Sequence, residues 1–363
     1  MSRFAADRRV LYVEEPVSTN HGAYLTHSVD SSGVQVVVPH IAQSKDQTTV
    51  LRGLIDQMLE ELNIRSYALW YYTPIALEWT SHLAPTAIVY DCMDELSAFK
   101  GAPPGLRQCE SELLKKADVV FTGGHTLFEA KRNQHDHVYP FPSSIDVSHF
   151  AKARTSCSDF DDQARIPHPR LGYAGVIDER MDLDLIGAVA KARPDWHFVL
   201  LGPVVKIDKS SLPDHSNIHY LGMKAYDQLP AYLGGWDVGL LPFARNESTR
   251  YISPTKTPEY LTAGLPVVST SIRDVVRPYG AAGVVHIADE PARFIAAIEK
   301  ALTEDASKRL AKVDRLLANN CWSRTWGRMN ELLEDATRRR TTMTSFCAIA
   351  ASGSFLQERA RLE

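Results

Sequence analysis

The chain has 363 residues, enough for two domains of about 150 residues each. Hydrophobic residues make up 44% and charged residues 23%, fractions that are typical of a soluble globular protein. The 40 Lys and Arg against 44 Asp and Glu give a net charge of −4, so the charge balance argues against a nucleic-acid partner.

Cysteine usage and the apolar runs both indicate the cytoplasm. The five cysteines are scattered, odd in number and lack a C-x-x-C pair, which argues for a reducing compartment and against a disulfide framework or a cysteine zinc site. No apolar run approaches the ~18 residues that cross a bilayer, and no signal-peptide core begins the chain. We therefore expect a cytoplasmic protein, with peripheral contact at the inner face of the membrane left open.

In the first half of the chain, strands alternate with helices. Residues 1–7 read as the end of a helix that leads directly into a buried strand. Such alternation predicts a parallel sheet with right-handed crossovers. The predicted strands are 10–13, 33–39, 67–71, 86–90 and 119–122, and the predicted helices are 48–62, 75–83, 103–116 and 126–132.

An acidic run at 91–95 follows one of these strands. In open parallel sheets, ligands gather outside the carboxyl ends of the strands, so Asp91 and Asp94 are candidates to face a cleft. The alternative is an ordinary helix start, which collects acids because they suit the helix dipole.

Residues 151–169 are polar, carry prolines and read as a linker before a second alternating half. Glycines end three of the next strands, at Gly175, Gly202 and Gly222, and allow the backbone to approach a ligand closely. The predicted strands of this half are 171–176, 197–201, 218–222, 238–243, 275–280 and 284–287, with helices at 183–193, 226–233 and 292–302.

The stretch 252–270 predicts a polar loop, a short helix and a buried strand. Ser253 or Thr255 can cap the helix, and Lys256 lies in its first turn, so hydroxyls, a cation and free amides converge where a phosphate binds well. Glu259, one turn further on, is close enough to accept hydrogen bonds from a sugar hydroxyl. The alternative is a capped helix on which Lys256 and Glu259 form a solvated i,i+3 pair.

The run Ser-Pro-Thr-Lys-Thr-Pro-Glu-Tyr-Leu-Thr-Ala-Gly-Leu-Pro-Val-Val at 253–268 resembles the donor-binding signature of retaining GT-B glycosyltransferases. It is most similar to the group 1, family 4-like enzymes that build bacterial surface polysaccharides. The resemblance implies that Glu259 holds the ribose of a nucleotide sugar, while Lys256, the loop amides and Arg180 hold its pyrophosphate. It places Asp94 near the donor sugar or the acceptor hydroxyl. Many relatives carry another Glu at the position of Tyr251.

The resemblance further implies two Rossmann-like parallel-sheet domains, the first of which lacks its first strand. It places the nucleotide base near the loop after Gly222. The implied divisions are an acceptor-side domain at 1–150, a linker at 151–169, a nucleotide-sugar domain at 170–320, a crossover helix back to the first domain at 321–336, and a tail at 337–363 without a place in the fold.

Glycosyl transfer has to stabilise a departing diphosphate, either with a metal held by a D-x-D pair or with fixed cations. The pairs Asp159/Asp161 and Asp182/Asp184 are poor metal sites, because one lies in the linker and the other in a helix start that caps itself. We therefore predict no metal and no cofactor besides the nucleotide-diphosphate sugar. A UDP- or GDP-linked donor and a glycan or lipid-linked acceptor are the expected partners.

Two other functions stay open at this stage. One is a nucleotide-sugar epimerase or hydrolase on the same scaffold, because a fold alone does not decide chemistry. The other is a non-catalytic nucleotide-sugar-binding protein, which the missing first strand and Tyr251 would suit. The basic residues 338–340 could contact anionic lipid or belong to a solvated terminus.

Overall fold

The computed structural model describes residues 1–43, 46–155 and 159–359, and for residues 343–359 it describes the backbone alone. Within these residues the chain forms two lobes of parallel sheet covered by helices. The prediction of an α/β chain with parallel sheets is confirmed. No helix in the part of the chain that was searched is both long and apolar enough to cross a membrane.

The N-terminal lobe holds two four-stranded sheets, and no strand among its described residues pairs with both. In the first sheet β4 pairs with β1, β2 and β3, and in the second the order is β5-β6-β7-β8. The strands are β1 Leu11–Val13, β2 Val17–Ser18, β3 Tyr24–Val29, β4 Gln35–Ile41, β5 Ala68–Tyr71, β6 Ala87–Cys92, β7 Val119–Thr122 and β8 Val138–Pro140. The helices are α1 Ser2–Ala5, α2 Gln47–Glu61, α3 Leu77–Thr80, α4 Leu106–Lys116 and α5 His125–Lys131.

One strand of this lobe departs from the parallel pattern. Strand β3 runs antiparallel to β4, and all but one of its six residues are exposed. The sequence analysis did not predict it, because an exposed edge strand carries no continuous apolar run. The central strands β6 and β7 are buried at every position, and their apolar runs were read correctly as strands.

The C-terminal lobe is built on one six-stranded parallel sheet in the order β11-β10-β9-β12-β13-β14. The chain adds strands on one side of β9 and then returns to its other side with β12, so β9 is the topological switch point. The strands are β9 Arg170–Ala174, β10 His197–Leu201, β11 Ile218–Gly222, β12 Val238–Leu241, β13 Val267–Ser269 and β14 Val285–Ile287. The helices are α6 Val147–Phe150, α7 Asp161–Ala164, α8 Leu183–Ala192, α9 Leu229–Gly234, α10 Lys256–Ala263, α11 Arg273–Val275, α12 Pro291–Thr303, α13 Ala306–Leu317 and α14 Trp322–Arg359. The predicted strand at 275–280 is wrong, because α11 ends at Val275 and continues as a helical turn over Val276–Gly280.

The segment predicted to be a linker packs on the C-terminal lobe. Phe150, Ala153 and Ile166 are buried in the same apolar cluster as the strands and helices of that lobe. Residues 156–158 lie outside the described part of the chain. The domain boundaries at 150 and 169 stay a prediction.

The last helix, α14, returns to the N-terminal lobe. Leu332, Leu333 and Ala336 pack against the face of the second sheet that also carries Phe4 of α1. The backbone stays helical beyond residue 336, where the sequence analysis placed an unassigned tail. Of the basic run 338–340, Arg340 forms a 2.7 Å ion pair with Asp118, so this part of the helix is held on the N-terminal lobe. Contact of the run with anionic lipid stays a prediction.

Packing around β9 makes a specific prediction for the stability of the C-terminal lobe. A Cβ at Gly172 would overlap the ring of Trp236, a buried side chain whose Nε1 donates to Gln163 Oε1 at 2.8 Å. We expect Gly172→Ala to lower the free energy of unfolding by about 1–3 kcal/mol, the usual cost of overpacking, as measured by urea denaturation. Gly53→Ala in α2, where nothing lies within 4 Å of the new Cβ, is the control and should leave stability equal or slightly higher. Equal midpoints for Gly172→Ala and the unchanged chain would contradict this packing.

Candidate active site

The site lies at the carboxyl ends of β9 and β10, beside the topological switch point. Gly175 and Gly202 follow these strands with φ of +153° and +133°, a region that favours glycine. A Cβ on Gly202 would overlap the carbonyl of Gly175, so the two loops touch through their backbones. Gly202 N donates to Gly222 O at 2.8 Å, which places all three predicted glycines along one edge of the sheet.

Lys256, the first residue of α10, lies over Gly175. A Cβ on Gly175 would overlap the Cε atom of Lys256, so the glycine makes room for the lysine. The Nζ atom lies 5.4 Å from the ring centroid of Tyr173 and 6.0 Å from that of Phe243. Burial lowers the pKa of Lys256, although Glu259 raises it in part. The ammonium forms no hydrogen bond or ion pair with any described residue, so its three donors are available to a ligand.

A second cation lies beside the first. The guanidinium of Arg180 forms a bidentate pair with Asp178, at 3.0 Å from Nε and 2.7 Å from Nη2 to Oδ2. Its Cζ lies 5.5 Å from the ring centroid of Phe99, which belongs to the other lobe. Arg180 contributes to the lowered pKa of Lys256, because two like charges close together favour the neutral lysine. The two predicted phosphate-binding cations therefore converge on one place between the lobes.

The sequence analysis missed Asp178 and Phe99 as parts of this site. Asp178 is 3% exposed and fixes the direction of Arg180. In the sequence, the only signal for Asp178 was its position two residues before Arg180. The ion pair between them depends on the conformation of the loop backbone, which the sequence pattern does not show. Phe99 is far from Arg180 in the sequence, and the two are neighbours because the two lobes are in contact.

Glu259 lies one turn along α10, half-buried on the same side as Lys256. Burial raises its pKa and the nearby Lys256 lowers it in part. No ion pair joins Lys256 and Glu259 among the described residues, so the solvated i,i+3 pair is not formed. Glu259 also contributes to a raised pKa of Tyr226, whose ring stacks on His149 at 4.2 Å. Neither aromatic residue was singled out from sequence, because their stacking joins segments 77 residues apart.

The two predicted hydroxyls lie at the amino end of α10. Thr255 is the N-cap residue, but its side chain makes no capping hydrogen bond. Ser253 is partly buried and lies close to Gly124 of the other lobe: a Cβ added to this glycine would be only 2.7 Å from the Cβ of Ser253. Gly264 ends the helix with φ +93°, as the sequence predicted. Near this end of α10, the amide of Thr257 donates to Pro254 O at 3.2 Å, the amide of Glu259 donates to Thr255 O at 3.4 Å, and Pro258 has no N–H.

The structure separates the two predicted catalytic acids. Asp94 is partly buried and close enough to Arg180 for the arginine to lower its pKa, although burial has the larger, raising effect. Asp91 is 4% exposed and accepts a 3.0 Å hydrogen bond from Trp70 Nε1. It lies on the sheet face that carries Ala87 and Val89, which packs against α14. Asp94 is therefore brought to the cationic residues, and Asp91 is not.

Contacts between the lobes close the site. The carboxylate of Asp274 accepts hydrogen bonds from the amides of His125 at 2.8 Å and Thr126 at 2.9 Å, so it caps α5 of the opposite lobe. Tyr251, at the position where relatives carry another Glu, packs against the apolar cluster of the N-terminal lobe that includes Leu127. The aromatic ring of Tyr251 therefore makes a contact between the lobes, whereas a Glu at this position would present a carboxylate to a ligand.

Neither D-x-D pair is arranged as a metal site in the structure. Asp159 forms an ion pair with the buried Arg170, and Asp182 caps α8 by accepting a 2.9 Å hydrogen bond from Leu185 N. Across the described residues, no group of three His, Cys, Asp or Glu side chains is placed to hold an ion.

Comparison with known proteins agrees with this geometry. Residues 168–304 match the family described as glycosyl transferases group 1. The Bacillus subtilis (strain 168) protein TuaH, named as a glycosyltransferase of teichuronic acid biosynthesis, is 24% identical over 291 residues, covering 74% of this chain and 72% of the relative. The fold is similar to that of sucrose-phosphate synthase from Thermosynechococcus elongatus, with a TM-score of 0.70, 13% identity and coverage of 92% of this chain and 90% of that one.

A second solved structure, a UDP-forming α,α-trehalose-phosphate synthase from Burkholderia xenovorans, has a TM-score of 0.66 at 13% identity. The match covers 90% of this chain and 93% of that one. Both neighbours extend over the two lobes, so the predicted pair of Rossmann-like domains is confirmed.

Asp91 generates a prediction for pH dependence. Burial raises its pKa to about 6 from an ordinary 3.8, so the folded state favours the protonated acid. Its contribution to stability is therefore complete below pH 4 and is lost as the pH rises through 6. Asp91→Asn keeps an acceptor for Trp70 and should be more stable than the unchanged chain at pH 7.5, by up to about 3 kcal/mol for a shift of two units.

The gain from Asp91→Asn should shrink when melting temperatures are compared at pH 5. Asp184→Asn, at an exposed position of α8, serves as the control and should show no such pH-dependent difference. A gain that is the same at both pH values would mean that Asp91 is not a buried titrating acid.

Proposed function

Since the chain is a glycosyltransferase with the GT-B fold, we propose that it transfers a hexosyl group from a nucleotide-diphosphate sugar to a glycan or lipid-linked acceptor. The observation that carries this proposal is the unpaired ammonium of Lys256 beside Arg180 at the start of α10. Two cations and a helix amino end form a site for two linked phosphates.

The residues that bind the diphosphate also catalyse the reaction. As the bond between the sugar and the phosphate breaks, negative charge builds up on the leaving diphosphate. Lys256 is already partly desolvated and Arg180 is fixed by Asp178, so both cations need little reorganisation when this charge develops. The reaction then needs no metal ion, and the protein's own cations supply the stabilising charge.

The remaining predicted residues bind the rest of the donor. Glu259 accepts hydrogen bonds from the ribose, next to the stacked rings of Tyr226 and His149. The backbones at Gly175 and Gly202 lie against the phosphates, and the open loop after Gly222 receives the base, which is that of UDP or GDP. The Burkholderia neighbour is UDP-forming by name, which favours uridine.

Transfer proceeds with retention of configuration at the anomeric carbon. The leaving phosphate accepts the proton of the acceptor hydroxyl on the same face, so no side chain has to act as the general base. Asp94 contacts the sugar near the anomeric carbon, on the lobe that faces Arg180. Asp91 lies in β6, the strand that leads into the loop of Asp94, and does not touch the substrate.

The biological product is a cell-surface polysaccharide. TuaH belongs by name to teichuronic acid biosynthesis, and the match to it covers about three quarters of each chain. Assembly of such polymers uses nucleotide sugars, which places the enzyme in the cytoplasm or at the inner face of the membrane.

Removing the lysine charge tests the proposal. Lys256→Ala should lower the initial rate of sugar transfer at least ~100-fold, the effect of losing one group that stabilises the transition state. Lys191→Ala removes an exposed lysine from α8 and is the matched control, which should keep the full rate. Near-normal turnover by the Lys256 variant would exclude the phosphate-binding role.

Product analysis separates this function from its rivals. With a nucleotide sugar and no acceptor, we expect only slow hydrolysis and no epimerised donor when the mixture is resolved by chromatography. An epimerase would convert the donor alone, and a non-catalytic binding protein would bind the nucleotide yet transfer sugar to none of the acceptors supplied. Either result would overturn the proposed reaction.

A further inference from the structure

The N-terminal lobe contains a buried lysine that the proposed reaction does not use. Lys131, the last residue of α5, is 3% exposed, and its Nζ lies 2.8 Å from Glu95 Oε2 and 2.8 Å from both carboxylate oxygens of Glu110. Burial lowers the pKa of Lys131, but the hydrogen bonds to Glu110 and Glu95 outweigh burial and leave the pKa raised. Lys131 is therefore a charged bridge between two carboxylates that belong to different segments of the chain.

The pairing with Glu110 anchors this bridge on α4. The side chain of Glu110 is 12% exposed, and both of its oxygens accept from the ammonium of Lys131. Its Oε1 also accepts a 2.8 Å hydrogen bond from the hydroxyl of Tyr90, a buried phenol whose pKa is raised by burial. A cation and a neutral hydroxyl together satisfy this carboxylate, so Lys131 keeps a complete partner on α4 even when its second partner is removed.

The pairing with Glu95 reaches the loop that carries Asp94. Glu95 immediately precedes a helical turn, Leu96–Ala98, and its Oε1 accepts a 2.7 Å hydrogen bond from Ser97 Oγ. The carbonyl of Glu95 accepts from the last amide of the turn at 2.9 Å. Main chain and side chain of Glu95 are thus both bonded to the turn, while its other carboxylate oxygen is bonded to Lys131. The lysine therefore ties the turn, and the residues next to it, to α5.

The two residues that flank this segment both lie beside Arg180. Phe99, directly after the turn, has its ring centroid 5.5 Å from Arg180 Cζ. Burial raises the pKa of Asp94, and Arg180 is close enough to lower it in part. Behind the turn, Asp94 O also accepts from Cys92 Sγ at 3.5 Å, but a thiol is a weak donor. The charge-assisted bond from Lys131 is therefore the stronger support of this side of the cleft.

Helix α5 connects this support to the C-terminal lobe. The carboxylate of Asp274 accepts hydrogen bonds from the first two amides of α5, at 2.8 Å and 2.9 Å. In the middle of the helix, Glu129 forms a 2.7 Å ion pair with Arg273. Lys131 ends the helix, so a stiff segment of about two turns lies between the contacts with the C-terminal lobe and the bond to Glu95. The position of the turn therefore depends on the lobe that carries the cations.

We propose that Lys131 is a positioning residue for sugar transfer: through Glu95 it holds the turn that places Asp94 and Phe99 against Arg180. This role rests on the proposed function, in which Asp94 contacts the sugar near the anomeric carbon. Lys131 itself does not touch the substrate. A buried charge suits this task because its bond to a carboxylate has a fixed length and direction, whereas an apolar side chain would pack behind the turn without orienting it.

Removing Glu95 tests this role without leaving the lysine unpaired. In Glu95→Ala, the ammonium of Lys131 keeps both oxygens of Glu110, so we expect the chain to fold. The turn loses its orienting bond, and kcat for sugar transfer should fall at least ~10-fold, because small displacements of a group near the reacting atoms are costly. KM for the donor should stay within about twofold, since the phosphate-binding cations are unchanged. Glu95→Gln keeps an oxygen that accepts from the ammonium and should recover most of the lost kcat.

Glu110→Gln is the matched control, because it weakens the same buried cluster from the other side. We expect it to lower the melting temperature at least as much as Glu95→Ala does, since the more buried carboxylate is the one removed. The pair of Lys131 with Glu95 remains, so kcat should stay within about twofold of the unchanged chain. If kcat instead falls equally in both variants, or does not fall in Glu95→Ala, the cluster only stabilises the lobe and the proposal is overturned.

Amide hydrogen exchange separates this role from the proposed reaction. The amides of Leu96 and Ala98 donate to Asp94 O at 3.0 Å and to Glu95 O at 2.9 Å. Both should exchange at least ~10-fold faster in Glu95→Ala and at an unchanged rate in Glu110→Gln. Equal rates in Glu95→Ala and the unchanged chain would overturn the proposal whether or not sugar is transferred. An unchanged chain that transfers no sugar would contradict the proposed function, while the exchange rates still decide whether Lys131 holds the turn.

Discussion

The packing of Lys256 against the backbone of Gly175 is the contact on which the candidate site depends. It holds a lysine ammonium between two aromatic rings, where burial lowers its pKa and Glu259 compensates only in part. Arg180 adds a second positive charge close by and is held there by the buried Asp178. We propose that a pair of phosphates binds here and relieves both the desolvation of the lysine and the repulsion between the cations.

Closure of the lobes completes what the C-terminal lobe begins. Asp274 caps α5, and Tyr251 packs into the apolar cluster of the opposite lobe, so the segments on either side of α10 are tied to the N-terminal lobe. The same closure brings Phe99 over Arg180 and places Asp94 within its electrostatic reach. One arrangement of the two lobes therefore brings together the residues that we propose bind the phosphates and the acid that we propose lies near the donor sugar.

Local pattern was enough to predict the helix start around Lys256, its end at Gly264 and most buried strands, because these features depend on neighbours in sequence. Asp91 shows the limit of that reasoning. Sequence placed it after a strand together with Asp94, but it belongs to β6, and the pleat turns it to the face that packs against α14, where it accepts from Trp70. The exposed strand β3 and the partnership of Arg180 with Phe99 were also missed, since an edge strand has little burial and a contact between lobes has no local signal.

The most direct measurement is a crystal structure of the protein with UDP, and a second one with GDP, at a concentration that saturates the site. We expect both phosphates to lie within hydrogen-bond distance of Lys256 Nζ, with Arg180 on the same diphosphate and Glu259 on the ribose. Nucleotide bound elsewhere, or phosphates directed away from Lys256 while α10 keeps its place, would contradict the phosphate-binding site and the reaction built on it.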